Sequence, residues 1–162
     1  MQIKWGVCID LPDDKLPGFY AQIVKALAGK ANLFDRDKEL LVLGTEEDQQ
    51  TTLDIMDSYK VPAEPLALLL LPESAETTVL FSDYGFESRL ANRYLYANQV
   101  RIFRFADDGA TQAGQAVMQM QEHLLARFPD EDGEKLYAVS RQLDALMSGI
   151  ARAYRCELVF VR

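Results

Sequence analysis

The chain has 162 residues, of which 49% are apolar and 26% charged, and it carries a net charge of −8. A chain of this length buries about two-thirds of its unfolded surface, so a core can form without disulfides or a structural metal, and the composition excludes a disordered polymer. The acidic balance works against sequence-independent nucleic-acid binding, which depends on Lys and Arg. No apolar run approaches the roughly 20 residues of a membrane span, and the first residues do not read as a secretory signal.

Residues 2–10 alternate, with Ile3, Trp5, Val7 and Ile9 on one side, which predicts a strand. Leu11, Pro12, Asp13 and Asp14 form a turn. Pro17 then suits the first turn of a helix whose stripe is Leu16, Phe19, Tyr20, Ile23, Val24 and Leu27, with Gly29 as its stop. Residues 32–38 are polar and turn-like. Residues 40–43 form a short strand ending at Gly44. Thr45 caps the next helix, and Glu46, Glu47 and Asp48 suit the positive end of its dipole. Its apolar groups come late, at Leu53, Ile55, Met56 and Tyr59, so its early turns face solvent. Pro62 and Pro65 close it.

Residues 66–71 read as a central strand, apolar on both faces. A short loop and a strand over 77–82 follow as a hairpin. Asp83, Tyr84 and Gly85 lead into a helix with Phe86, Leu90, Tyr94 and Ala97 on one side, closed by Asn98. Residues 100–105 form a strand and Asp107, Asp108 and Gly109 a turn. Residues 113–128 are predicted as a helix with Val117, Met120, Leu124, Leu125 and Phe128 inward. Residues 134–155 form the longest helix, and residues 156–161 a final strand. The alternation predicts an α/β or α+β fold. Its mixed sheet has about five to six strands with helices packed on it, in a single layered domain over 1–162. No internal repeat is visible.

Most catalytic signatures are missing. There is no Walker-type phosphate loop and no G-x-G-x-x-G after a strand. The stretch from Gly109 to Gly114 lacks the Lys-Ser/Thr pair and follows two acids. His123 is the single histidine, which excludes a multi-histidine zinc site within one chain. Cys8 and Cys156 have no metal or redox spacing and are expected to be reduced, in the cytoplasm; if their strands are neighbours they could also pair.

Three groups remain. Asp10 and Asp83 follow predicted strand ends, with Asp13, Asp14 and Glu87 near them. If the first and fourth strands run parallel and adjacent, these carboxylates could hold Mg²⁺ for phosphoester chemistry. That is the alternative, hydrolase or nuclease reading; otherwise no metal or cofactor is expected. Arg89 and Arg93 would share a helix face, with Arg101 and Arg104 on the next strand, as a candidate anion site. Gln112, Gln115 and Gln119, with Gln121 beside them, form an uncharged helix stripe suited to a subunit contact. The long last helix could also pair across a dimer. A small-molecule pocket around Trp5, Phe19 and Tyr20 lacks a specific polar marker. The favoured expectation is an acidic accessory protein acting through a protein partner or as a homo-dimer, with no membrane or nucleic-acid role.

Overall fold

The computed structural model describes residues 1–11, 17–106 and 110–162. The turns expected at Pro12 to Asp14 and at Asp107 to Gly109 lie outside these residues. The fold is α+β, with antiparallel strand pairing and five α-helices among the described residues. The chain divides into two compact units. The N-terminal unit holds Gln2–Leu70 and Glu87–Asn92, and the C-terminal unit holds Leu71–Phe86 and Arg93–Arg162.

In the N-terminal unit the elements are β1 (Gln2–Ile9), α1 (Pro17–Leu27), β2 (Leu33–Asp37), β3 (Leu40–Leu43), α2 (Glu46–Ser58) and β4 (Ala63–Leu70). Its strands lie in the order β2-β3-β1-β4. Both neighbours of β1 run antiparallel to it, with Trp5 opposite Leu43 and Ala67. Val7, Ile9, Leu41 and Leu43 from one sheet face meet Ile23, Leu27 and Met56 from the helices. Burying each such side chain stabilises the fold by about 1.5–3 kcal/mol. The segment expected as a polar turn over 32–38 is instead β2. Its exposed Leu33 and Phe34 and its charged residues are what an edge strand with a bulge tolerates.

Thr45 caps α2 as expected: its Oγ1 accepts from the Asp48 amide at 3.1 Å and donates to the Asp48 carboxylate at 2.9 Å. Gln49, buried under the same helix, donates its amide to the carbonyl oxygens of Gly6 and Leu66 at 2.7 and 3.2 Å. These carbonyls belong to directly paired residues of β1 and β4, so one side chain fastens the helix to two strands.

The C-terminal unit contains β5 (Glu76–Thr77), α3 (Phe81–Tyr84), part of β6 (Gly85–Glu87) and β7 (Arg93–Tyr96). It continues with β8 (Val100–Phe105), α4 (Ala110–Met120), β9 (Leu124–Pro129), β10 (Lys135–Ser140), α5 (Asp144–Ala153) and β11 (Leu158–Phe160). Its sheet runs β11-β8-β10-β9-β5. Phe103 centres the core: it stacks on Tyr137 at 5.5 Å and meets Phe105 and Phe160 edge-on. Met120, Val139, Met147 and Ala151 complete that cluster.

The two units share one topology. From β1 to β4, and again from β8 to β11, the chain runs β-α-β-β-α-β, with the first strand between the third and fourth and the second outside the third. This is the ferredoxin-like, split β-α-β arrangement. The expectation of no internal repeat is therefore corrected. The repeat lies in the order and period of buried positions, which many residue choices satisfy.

Three predicted helices change character. Residues 86–97 form β6, a turn and β7. Gly85 and Tyr94 explain it locally: a Cβ on Gly85 would lie 2.1 Å from the Tyr94 carbonyl oxygen, a backbone approach that only glycine permits. The helix expected over 113–128 stops at Met120. A 3-10 turn, Gln121–His123, then leads into β9. The helix expected over 134–155 is β10, a 3-10 turn and α5, with the Ser140 hydroxyl accepting from the Gln142 amide at the junction. Leu136 to Ser140 are all buried, so this strand lacks the alternation that marks a half-exposed one. The strand expected over 77–82 shrinks to β5 and gives way to α3.

Candidate functional site

The strand-tip carboxylates do not form the arrangement on which metal chemistry depends. Asp10 follows β1 and is exposed, but both sheet neighbours of β1 are antiparallel. Asp83 lies inside α3, in the C-terminal unit, and follows no strand. Asp13 and Asp14 lie outside the described residues, and Glu87 is exposed at the end of β6. Among the described residues no three His, Cys, Asp or Glu side chains are grouped to hold a metal ion.

The arginines are distributed differently from the expected patch, because the helix that would align Arg89 with Arg93 is absent. Arg93, on β7, donates to the carbonyl oxygens of Ala75 and Glu73, both at 2.7 Å. Its guanidinium thereby fixes the chain entering β5. Arg101 pairs with Asp144 at 2.8 Å at the start of α5, and Arg104 with Glu134 at 3.3 Å. Arg89 is exposed in the turn between β6 and β7. His123 ends the 3-10 turn after α4, 3.4 Å from the neighbouring Glu122 carboxylate. Cys8 and Cys156 are both free thiols. Trp5, Phe19 and Tyr20 pack against the N-terminal core.

Three of the glutamines lie on one helix, α4, which begins at Ala110 and not at 113. Gln112, Gln115 and Gln119 are exposed along α4, and Met118 beside them is 74% exposed. No residue of α4 is charged. By contrast α2, in the N-terminal unit, carries Glu46, Glu47, Asp48, Asp54 and Asp57 and no base. Gln121, in the 3-10 turn that follows and also exposed, lines a cleft of about 190 Å³ with Thr77, Thr78, Val117 and Leu124. A second cleft of about 370 Å³ includes Ser74, Lys135 and Tyr137. The Glu76–Arg127 ion pair lines both. Burial pushes the Tyr137 phenol up, and the Arg127 guanidinium opposes the shift.

One group was not legible in the sequence. Asp35 on β2 is only 4% exposed, and its Oδ2 accepts from the Ser88 hydroxyl at 2.6 Å and the Asn92 amide at 2.9 Å. Its Oδ1 accepts from the Arg36 amide at 2.8 Å. Within the loop, the Ser88 amide donates to the Asn92 carbonyl and the Ala91 amide to the Ser88 carbonyl, both at 2.9 Å. Ala91 takes a left-handed conformation, φ 61°, which costs a non-glycine residue about 1 kcal/mol. The turn thus held presents Arg89 and Leu90, the latter 68% exposed. Partners 53 and 57 residues apart leave no local sequence signal.

No protein-family model and no curated protein matches the chain. Among solved structures it is similar to a protein provisionally described as a glycine cleavage system transcriptional repressor. The match has 14% identity, covers 99% of this chain and 96% of that one, and has a TM-score of 0.22. At that score it carries no argument about function.

Proposed function

We propose that the protein is an acidic accessory protein that acts by binding other protein chains and by self-association, without catalysis of its own. The observation that supports this is the outer face of α4, uncharged over its whole length and carrying Gln112, Gln115, Met118 and Gln119 on a chain of net charge −8. A glutamine amide is both donor and acceptor, and an exposed thioether adapts to varied surfaces, so this face fits a partner surface of amide and aliphatic groups with little charge. Desolvating such groups costs less than desolvating the carboxylates of α2. Two free thiols support a reducing, cytoplasmic setting. No helix among the described residues is long and apolar enough to cross a membrane.

The test is paired affinity capture from native lysate with the intact chain and with a Gln115→Lys, Met118→Glu variant as baits. The reading expects a stoichiometric protein on the intact bait that is lost from the variant. Identical captures, or none in stoichiometric amount, overturn it.

A further inference from the structure

The larger cleft beside the Glu76–Arg127 pair is built by the register of the C-terminal sheet. Glu76 on β5 stands opposite Arg127 on β9, which stands opposite Tyr137 on β10, so the three side chains share one face. Tyr137 stands opposite Phe103 in turn, and on that face Met120 of α4 and Met147 of α5 pack. Lys135 lies two residues before Tyr137, so it points to the same side, opposite Pro129. Next to these rows, with Ser74 before β5 and Gly133 in the β9–β10 turn, lies a space of about 370 Å³. That falls at the small end of the roughly 300–1,000 Å³ of small-molecule sites.

The groups already satisfied decide what this space can take. Arg127 donates through Nε and one terminal nitrogen to a single oxygen of Glu76, so these two charges cancel locally. Lys135 has no ion-pair partner among the described residues. Tyr137 is only 7% exposed, yet its hydroxyl has no hydrogen-bond partner among the described residues and is not sealed from solvent. A group buried to that degree ordinarily has a partner, and the cleft it lines is where one can be supplied. Burial pushes the phenol up, so it keeps its proton at neutral pH and offers a donor. The Ser74 hydroxyl adds a second at the rim.

Lys135 and Arg127 against Glu76 leave the lining with a net charge of +1. The turn that contributes Gly133 also carries Asp130, Glu131 and Asp132, which oppose a second negative charge in the ligand. A dianion such as phosphate is therefore overcharged for the site. Pro129 and the tyrosine ring add an apolar wall that a bare inorganic ion does not use.

We propose that this cleft binds a small organic monoanion, a carboxylate on a compact apolar body, with Lys135 and the Tyr137 hydroxyl on the carboxylate. The site is independent of the protein-docking reading, since none of these residues lies on α4.

The test is amide NMR of the full chain titrated with benzoate at neutral pH and constant ionic strength. One ionic contact at an exposed lysine and one apolar wall correspond to a dissociation constant on the order of 1 mM. The shifts should saturate and centre on residues 74–77 and 127–137. Benzamide, of the same shape without the charge, and inorganic phosphate should each bind at least about fivefold more weakly. Lys135→Met should weaken benzoate about tenfold and Tyr137→Phe about fivefold. Because the hydroxyl has no partner in the fold, Tyr137→Phe should leave the denaturant midpoint unchanged, which separates a ligand role from a structural one. The Gln115→Lys, Met118→Glu variant should bind benzoate as the parent chain does. The proposal is overturned if the shifts fail to saturate or centre elsewhere, or if benzamide or phosphate binds as well as benzoate. It is equally overturned if Lys135→Met or Tyr137→Phe binds as the parent does, if Tyr137→Phe unfolds at lower denaturant, or if the α4 variant loses binding.

Discussion

The two units build the same β-α-β-β-α-β topology with different residues on their helices. In the N-terminal unit the second helix, α2, displays five carboxylates and no base, and a glutamine beneath it fastens it to the sheet, whereas the equivalent helix of the other unit, α5, carries one acid and one base, Asp144 and Arg152. In the C-terminal unit the first helix, α4, has no charge at all, and an aromatic cluster around Phe103 forms the centre. Topology follows from which positions are buried and at what period; the outward residues are under no such constraint. Differences between the outer faces are therefore where function is to be sought.

The sharpest way to break the comparison is to damage one core alone. Phe103→Ala removes the ring that touches Phe105, Tyr137 and Phe160 and should destabilise by about 3–5 kcal/mol. Hydrogen exchange read by mass spectrometry should then show loss of protection in β8, β10 and α4 first. If β1 and β4 lose protection equally, the two units unfold as one and the division has no energetic meaning.

Next in size is Asp35→Ala. It deletes the acceptor of charge-assisted hydrogen bonds from Ser88 and Asn92 and should cost about 2–3 kcal/mol. Amides 88–92 should exchange fastest in the variant; unchanged exchange there would show that the loop holds its shape without the carboxylate.

A smaller effect is expected at the α2 cap, where Thr45→Ala should lower stability by about 1 kcal/mol in denaturant unfolding. Gln115→Ala on α4 should change it by less than about 0.5 kcal/mol, as an exposed position allows. A larger loss there would mean that the face is not free.

The smallest effect concerns pH. Burial and the carboxylates of Glu39, Glu64 and Asp10 raise the Cys8 pKa, so less thiolate is present near neutrality than on an unfolded chain. In dilute chain, the alkylation rate of Cys8 should rise at higher pH than that of the denatured protein. Glu39→Gln should shift the profile to lower pH, raising the rate at fixed pH by less than about threefold. A folded profile superimposed on the denatured one would remove these carboxylates from consideration.

Much of the N-terminal unit is legible in the sequence. Ile3, Trp5, Val7 and Ile9 alternate, Thr45 precedes three acids, and 66–71 is too short and apolar for anything but a strand. The C-terminal unit is less so. Its strands are buried on both faces, and spacings such as Leu124, Leu125 and Phe128, or Leu136 and Val139, satisfy a helical period equally well. Of the site residues, the α4 glutamines were readable because one helix sets their spacing. Asp35, Ser88 and Asn92 were not, because only the folded sheet brings them together. Asp10 and Asp83 suggest a shared site only on the condition that the strands before them run parallel, and strand direction is set by pairing between residues distant in sequence; here β1 has antiparallel neighbours and Asp83 lies in a helix.

Arg93 carries a consequence for behaviour in concentrated solution. By gripping the Ala75 and Glu73 carbonyls it keeps the two-residue β5 against β9, whose backbone would otherwise be an open template for foreign strands. Replacing that arginine should leave a chain that folds yet turns cloudy on mild warming, since the fringe of the C-terminal sheet would have lost its cover.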